Sequence, residues 1–93
     1  MQRYLVMTLR TPNFDSAVIE PHYAYLDRLR ERGVLELFGP FGDKSGGAYL
    51  IRAQDLDEAR AIAHADPVHV SGSSRVTVYE WDAKEALVAD EHG

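Results

Sequence analysis

The stretch VLELFGPFGDKSGGAYLIRA, residues 34–53, decides the fold of this 93-residue chain. Its two ends, residues 34–38 and 48–53, are short runs rich in apolar residues, which is typical of strands. The glycine-rich connection at residues 42–47 is longer than a tight hairpin turn. Two strands are therefore expected to follow each other directly in the middle of the chain.

The segment before this pair predicts a helix that reaches residue 32, with Gly33 as its terminator. Pro21 disfavours α geometry at Glu20, so the helix either kinks there, or the main helix begins there with Pro21 in its first turn. We favour a break near Glu20–Pro21, followed by a main helix to about Arg32. Residues 3–10, further upstream, predict a first strand with apolar side chains on both faces.

The segment after the pair predicts a second helix, which begins at Asp55 or Asp57 and ends by Asp66-Pro67. Residues 68–73 are expected to form a loop, and residues 75–81 the last strand. The charged tail at residues 83–93 is expected to hold one or two loose helical turns at most.

The resulting order, β-α-β-β-α-β, is the split βαβ or ferredoxin-like pattern, an α+β fold with a four-stranded antiparallel sheet and two helices on one face. Residues 1–82 are expected to form one domain. The strands carry more apolar surface than one helix layer can cover, which usually marks an interface. We therefore expect a homodimer through the open sheet face, a dimeric α+β barrel; the alternative is a monomer whose tail covers the sheet. The apolar side chains concerned are Tyr4, Val6, Phe38, Tyr49, Ile51, Tyr79 and Trp81.

Composition narrows the classes of function. The net charge is −5 and Lys and Arg form no cluster, which disfavours nucleic acid as a partner. No apolar run approaches the roughly 18–20 residues that span a bilayer, and the N-terminal sequence lacks a signal-peptide pattern. We expect a cytoplasmic domain that does not bind membranes. The chain has no cysteine, so disulfides and thiolate chemistry are excluded.

Several short motifs, in their order and spacing, resemble the YCII-related (YciI-like) domain family. They are Pro21-His22 with Leu26 and Leu29, then Gly33, Gly39-Pro40, Ala63-His64-Ala65-Asp66-Pro67 and Gly72. The resemblance covers about residues 1–82 and implies a dimeric ferredoxin-like fold, related to muconolactone isomerase. It also implies an active site built on a His–Asp pair, here His22 and Asp66. Some relatives resemble cofactor-free dehydrochlorinases of chlorinated hydroxyquinols. Val68 departs from the family, which more often has a bulky aromatic residue there, and this leaves the shape of the substrate open.

His22 lies on the same helical stripe as Val18 and Leu29, so a titratable ring faces the interior. Such a histidine is either a hydrogen-bonded structural residue or a proton-transfer group. If His22 lies in the first turn of this helix, the helix N-terminus would favour its neutral form and would attract anions such as phenolates or carboxylates. Asp66 would orient its ring, or would only end a helix before Pro67. The antiparallel topology places both residues at the same end of the sheet.

Other candidate residues have weaker signals. Gly39 and Pro40 could shape a pocket wall or only end a strand. Tyr25 and Phe41, with Tyr23 and Tyr49, could line an aromatic-binding cleft or belong to the core. Ser71, like Ser73 and Ser74, could hydrogen-bond a substrate. Residues 64–69 contain two imidazoles and a carboxylate, yet Pro67 breaks their local geometry, so we expect no metal site.

These observations predict a cofactor-independent enzyme in which His22 and Asp66 perform general acid–base chemistry. Elimination or isomerisation of a small cyclic or phenolic substrate needs no redox group, and no dinucleotide fingerprint or phosphate loop is visible. The alternative is a non-catalytic small-molecule-binding or accessory domain on the same fold. An RNA-binding module of this topology is disfavoured by the acidic balance.

Overall fold

The fold consists of one four-stranded sheet and three α-helices, seen in a computed structural model that describes residues 1–87. In chain order the elements are β1 (Gln2–Arg10), a 3-10 turn (Ser16–Val18), α1 (Ile19–Glu31), β2 (Leu35–Pro40), β3 (Gly46–Ala53), α2 (Leu56–His64), α3 (Pro67–Val70) and β4 (Ser74–Glu80). All pairings are antiparallel, in the spatial order β2-β3-β1-β4. The predicted ferredoxin-like α+β fold is confirmed.

Helix α1 begins earlier than the favoured prediction. It starts at Ile19 and continues through Pro21, directly after the 3-10 turn that Asp15 caps. Pro21 is the third helical residue, and the N–H groups of a first turn have no partner within the helix. The proline ring therefore removes no helical hydrogen bond, and the predicted break at Glu20–Pro21 is wrong.

Two further boundaries differ from the prediction. Residues 67–70, placed mostly in a predicted loop, form the short helix α3, since the Asp66 side chain accepts a hydrogen bond from the Val68 amide at 3.0 Å and Pro67 occupies the first turn. Strand β2 continues through Gly39 to Pro40. Because β2 is an edge strand, a residue without an N–H is tolerated there.

The core lies between one face of the sheet and the helices α1 and α2. Tyr4 and Val6 of β1 pair with Ile51 and Tyr49 of β3, and all four are at most 2% exposed. They pack with Leu26, Leu29, Ala59, Ile62 and Ala63. The expectation that these four strand residues exceed what a helix layer can cover is therefore wrong. The helices cover these four side chains, so they do not contribute to an exposed apolar surface.

The opposite sheet face carries Leu37, Tyr79 and Trp81, whereas Phe38 lies opposite Tyr49 and therefore belongs to the covered face. Leu37 is 65% exposed, Tyr79 51% and Trp81 46%. The strand register sets Leu37 beside Leu50 and Tyr79 beside Leu5 on this face. We call this the open face.

Residues 81–87, the described part of the chain after β4, leave most of the open face uncovered. Residues 81–87 form neither helix nor strand, so the described part of the tail holds none of the predicted helical turns; residues 88–93 lie outside the described residues. Arg3 donates a hydrogen bond to the Ala83 carbonyl at 3.0 Å, but Leu87 is 92% exposed. No helix within residues 1–87 is long and apolar enough to cross a membrane.

Candidate active site

A cleft of about 100 Å³ lies at one end of the sheet, on its helix-covered side. It is lined from several directions, by α1, α3, the segment before α1 and all four strands. His22, Gly39, Pro40 and Tyr49 are among the lining residues. The fold therefore brings the first turn of α1 to the β2–β3 hairpin.

His22 and Asp66, 44 residues apart in the sequence, meet beside this cleft. Nδ1 of His22 lies 2.8 Å from Oδ1 of Asp66. The His22 side chain is 16% exposed, whereas the Asp66 side chain has no exposed surface. A carboxylate accepts hydrogen bonds, so Nδ1 carries the ring hydrogen of the neutral imidazole. The second ring nitrogen, Nε2, is then the one with a free lone pair.

The Asp66 carboxylate accepts three hydrogen bonds within the described chain. Besides His22, the Val68 amide donates to Oδ1 at 3.0 Å and the Tyr49 hydroxyl donates to Oδ2 at 3.0 Å. Three donors around a carboxylate that is closed to water compensate for the lost hydration of its charge. Asp66 is therefore fixed by three donors as the hydrogen-bond acceptor behind the imidazole.

Tyr49, which the sequence offered only as a candidate for the cleft wall or the core, is a hydrogen-bond partner of this pair. Burial raises the pKa of its hydroxyl, and the Asp66 carboxylate raises it further. Burial likewise raises the pKa of Tyr25, with Asp66 as the second cause. Both hydroxyls remain donors at neutral pH. The strand register places Tyr49 opposite Val6, on the covered face, and the sequence alone does not fix this register.

The substrate-binding residues predicted from the sequence separate into two groups. Gly39 and Pro40 line the cleft. Tyr25, Phe41 and Ser71 are not among the described residues that line it, and their role in substrate binding stays a prediction. Tyr25 donates to the Ile62 carbonyl at 2.6 Å, and Ser71 donates to the Ser73 hydroxyl at 2.8 Å.

Aromatic rings surround His22 in the cleft. The Tyr23 ring lies 5.2 Å from the His22 ring, and the Tyr49 ring lies 6.3 Å from it. Phe38 packs its ring against Tyr23 with the centroids 6.3 Å apart. Aromatic side chains favour offset or edge contacts with another planar ring. The cleft therefore combines a base with walls that suit a ring.

The two histidines near Asp66 take no part in the cleft. His64 and His69 stack with their ring centroids 4.4 Å apart, and Nδ1 of His69 lies 3.1 Å from the His64 carbonyl oxygen. Within residues 1–87, no group of three or more His, Asp or Glu side chains is placed to hold a metal ion.

Comparisons with known proteins agree with this architecture. The family model of the YCII-related domain matches residues 2–82. The uncharacterized protein YjpA of Bacillus subtilis (strain 168) is 48% identical over 85 residues, which cover 91% of this chain and all of that protein. The fold is also similar to 5-chloro-2-hydroxyhydroquinone dehydrochlorinase (TftG) from Burkholderia phenoliruptrix AC1100, whose structure contains 2,5-dihydroxybenzoquinone. The TM-score is 0.70 at 19% identity, over 88% of this chain and 95% of that one.

Proposed function

This chain belongs to the YCII-related domain family, and on that premise we propose that it is a cofactor-independent enzyme whose His22–Asp66 pair performs general acid–base chemistry. The substrate is a small cyclic or phenolic molecule, and the reaction an elimination or an isomerisation. The observation that carries the proposal is the 2.8 Å contact between Nδ1 of His22 and a fully buried Asp66, at the edge of a cleft lined with aromatic rings.

The proposed chemistry uses both ring nitrogens of His22. Nε2 removes a proton from the substrate, while Asp66 holds the Nδ1 hydrogen and stabilises the imidazolium that forms. In an elimination, the electron pair of the broken bond to hydrogen forms the new double bond, and the leaving group departs with its own bonding pair. In an isomerisation, the imidazolium returns the proton to another atom of the substrate.

The fold neighbour supports the elimination. Its name describes a dehydrochlorinase, an enzyme that removes hydrogen and chlorine from a ring, and its structure holds a dihydroxybenzoquinone. A cavity of about 150 Å³ holds one benzene ring in another protein. The cleft here, about 100 Å³ and open to solvent, suits a single ring whose substituents reach the mouth.

The proposal includes a homodimer through the open face, in a cytoplasmic protein. The exposed Leu37, Tyr79 and Trp81 support it, because contiguous apolar side chains on a sheet face favour association. The exposure of Leu87 disfavours the alternative in which the tail covers this face. The sheet faces of two copies would then pack together, and the clefts would remain on the helix-covered sides.

His22→Gln tests the catalytic role, since glutamine can donate to Asp66 but cannot accept a proton at neutral pH. We expect turnover to fall by about 10²–10⁴-fold, as measured by chloride release from 5-chloro-2-hydroxyhydroquinone and related chlorophenols. Binding of 2,5-dihydroxybenzoquinone, measured by calorimetry, should change little. His64→Gln, outside the cleft, is the matched control and should retain full turnover.

Two results would contradict the proposal. Equal turnover in the wild type and the His22→Gln variant would remove His22 from the chemistry. Binding of the quinone without turnover of any chlorinated or isomerisable phenol would favour the alternative, a non-catalytic small-molecule-binding domain.

A further inference from the structure

A second charged side chain, Arg10, lines the same cleft as His22. Side chains alternate between the faces of a strand, and in β1 the buried residues Tyr4, Val6 and Thr8 occupy the helix-covered face. Arg10 continues this series by one step, at the end of the strand. The guanidinium is therefore on the covered face, just where that face opens into the cleft.

Arg10 is held in place by a neighbouring ring. Its guanidinium carbon lies 4.0 Å from the centroid of Phe14, which also lines the cleft. A cation over an aromatic face is attracted electrostatically, so this contact restricts the mobility of a long side chain. The Arg10 amide also donates to the Ser45 carbonyl at 2.9 Å, which fixes the backbone.

No carboxylate within residues 1–87 neutralises Arg10. The arginine ion pairs of the described chain join Arg3 and Arg52 to Glu36, and Arg30 to Asp27. A guanidinium has five N–H donors in a planar fork, and this geometry matches the two oxygens of a carboxylate. Arg10 is thus a cation with free donors in a cleft that also contains a base.

Hydroxyl side chains lie beside Arg10. Ser74 is its partner across the β1–β4 pairing, is 7% exposed and lines the cleft. Thr8, at 6% exposure, donates its hydroxyl to the Gly47 carbonyl at 3.3 Å. Ser74 therefore supplies a second donor on the wall that carries Arg10.

We propose that Arg10 and Ser74 form an anion subsite, and that the ligand of the cleft is a single planar ring bearing a carboxylate. This proposal rests on the proposed function, since it assigns the substrate class of the same site. The carboxylate is paired by the Arg10 fork, and the ring extends towards Tyr23 and His22. The chain as a whole has a charge of −5, so a local cation is needed to concentrate an anion here.

Benzoate and benzamide test the subsite, because they share ring and shape but differ in charge. Calorimetric titration at low salt should give a benzoate affinity about tenfold or more above that of benzamide, as expected for a charge-assisted pair. In Arg10→Gln the two ligands should bind equally. Arg10→Lys should retain part of the preference, since it keeps the charge and loses the fork.

Arg75→Gln is the matched control. Arg75 lies opposite Leu9 in the same pairing, so it is on the open face, one residue from Arg10's partner. The Arg75→Gln substitution removes the same charge from the same end of the sheet without altering the cleft. The preference for benzoate should therefore remain. Equal losses in Arg10→Gln and Arg75→Gln would overturn the subsite, as would equal affinities in the wild type.

The His22→Gln variant separates this proposal from the proposed function. The preference for benzoate should persist in that variant, since the subsite does not need proton transfer. A preserved preference with no turnover of any substrate contradicts the catalytic role alone. Turnover that depends on His22, with no preference for benzoate, contradicts the subsite alone. Circular dichroism of Arg10→Gln and Arg10→Lys checks that both variants are folded.

Discussion

At the scale of single residues, the Asp66 carboxylate has two roles. Oδ1 caps α3 through the Val68 amide and faces Nδ1 of His22, and Oδ2 accepts the Tyr49 hydroxyl. Because the carboxylate is closed to water, each donor is needed to compensate for its desolvation. The positions of the His22 ring and of the short helix are therefore coupled through one side chain.

Tyr49→Phe tests this arrangement by removing one donor and keeping the ring. The buried carboxylate loses a hydrogen bond, and we expect the free energy of unfolding at pH 7 to fall by about 1–3 kcal/mol. Turnover should fall as well, with the loss in kcat rather than in KM, because in the proposed mechanism Asp66 orients His22 and does not bind the substrate. Denaturant titration and steady-state kinetics measure these two effects.

The same variant has a signature in alkaline solution. The folded state raises the pKa of Tyr49, whereas the unfolded chain ionises the hydroxyl near pH 10. Above that pH the unfolded state has lost a proton that the folded state still holds, so stability falls as pH rises. Between pH 9 and 11 the stability of Tyr49→Phe should fall less steeply than that of the wild type. If the free energy of unfolding fell equally steeply with pH in both proteins, Tyr49 would not contribute to the loss of stability. Tyr79→Phe, on the open face, is the control.

At the scale of elements, the β2–β3 hairpin forms one wall of the cleft and depends on a close backbone contact. A Cβ added at Gly47 would lie 2.7 Å from the Gly39 carbonyl oxygen, too close for any side chain. A Cβ added at Gly39 would meet no atom within 4 Å. Gly39 and Gly47 lie on neighbouring strands, yet only Gly39 has room for a side chain.

Gly47→Ala should lower the free energy of unfolding by about 1–3 kcal/mol, because the new methyl group forces the two strands apart. Gly39→Ala should change it by less than about 0.5 kcal/mol, since it fills open space. Denaturant unfolding of the two variants in parallel measures the difference. Equal destabilisation by both would mean that the close contact does not limit the packing of β2 on β3.

At the scale of the whole molecule, the two faces of the sheet differ. The covered face holds the core and ends in the cleft, while the open face carries exposed apolar side chains around the ion pairs that Glu36 makes with Arg3 and Arg52. A chain of this length buries only about two-thirds of its unfolded surface. Association through the open face would add to a small core.

Tyr79→Lys tests the proposed homodimer, since an ammonium group in the middle of an apolar interface has to be desolvated. Light scattering with size-exclusion chromatography should give twice the chain mass of 10.4 kDa for the wild type and the single-chain mass for the variant. Val70→Lys changes an apolar residue on the helix side that is even more exposed than Tyr79, and this variant should remain dimeric. A monomeric wild type at micromolar concentration would contradict the proposal.

The elements follow largely from local signals in the sequence, and the two helix starts that differ from the prediction share one cause. Alternating side chains, the Asp55 cap of α2 and the positive φ of 74° at Gly33 are properties of a few adjacent residues, and they predict strands and helix ends. Pro21 predicts a break and Pro67 predicts only the end of α2, whereas each proline also lies in the first turn of a helix. A proline ends a helix but is equally suited to a first turn, and the neighbouring residues do not distinguish these cases.

By itself, the sequence determined the βαββαβ order, the family and the two residues His22 and Asp66 as a candidate pair, because patterns and motifs are local in the chain. The tertiary structure alone decided the 2.8 Å between them, since that distance depends on where α1 begins and where the chain turns at Pro67. It also decided that Tyr49 and Arg10 face the cleft. A shift of one residue in strand register would turn both side chains to the open face, and only the packing of the sheet against the helices sets that register.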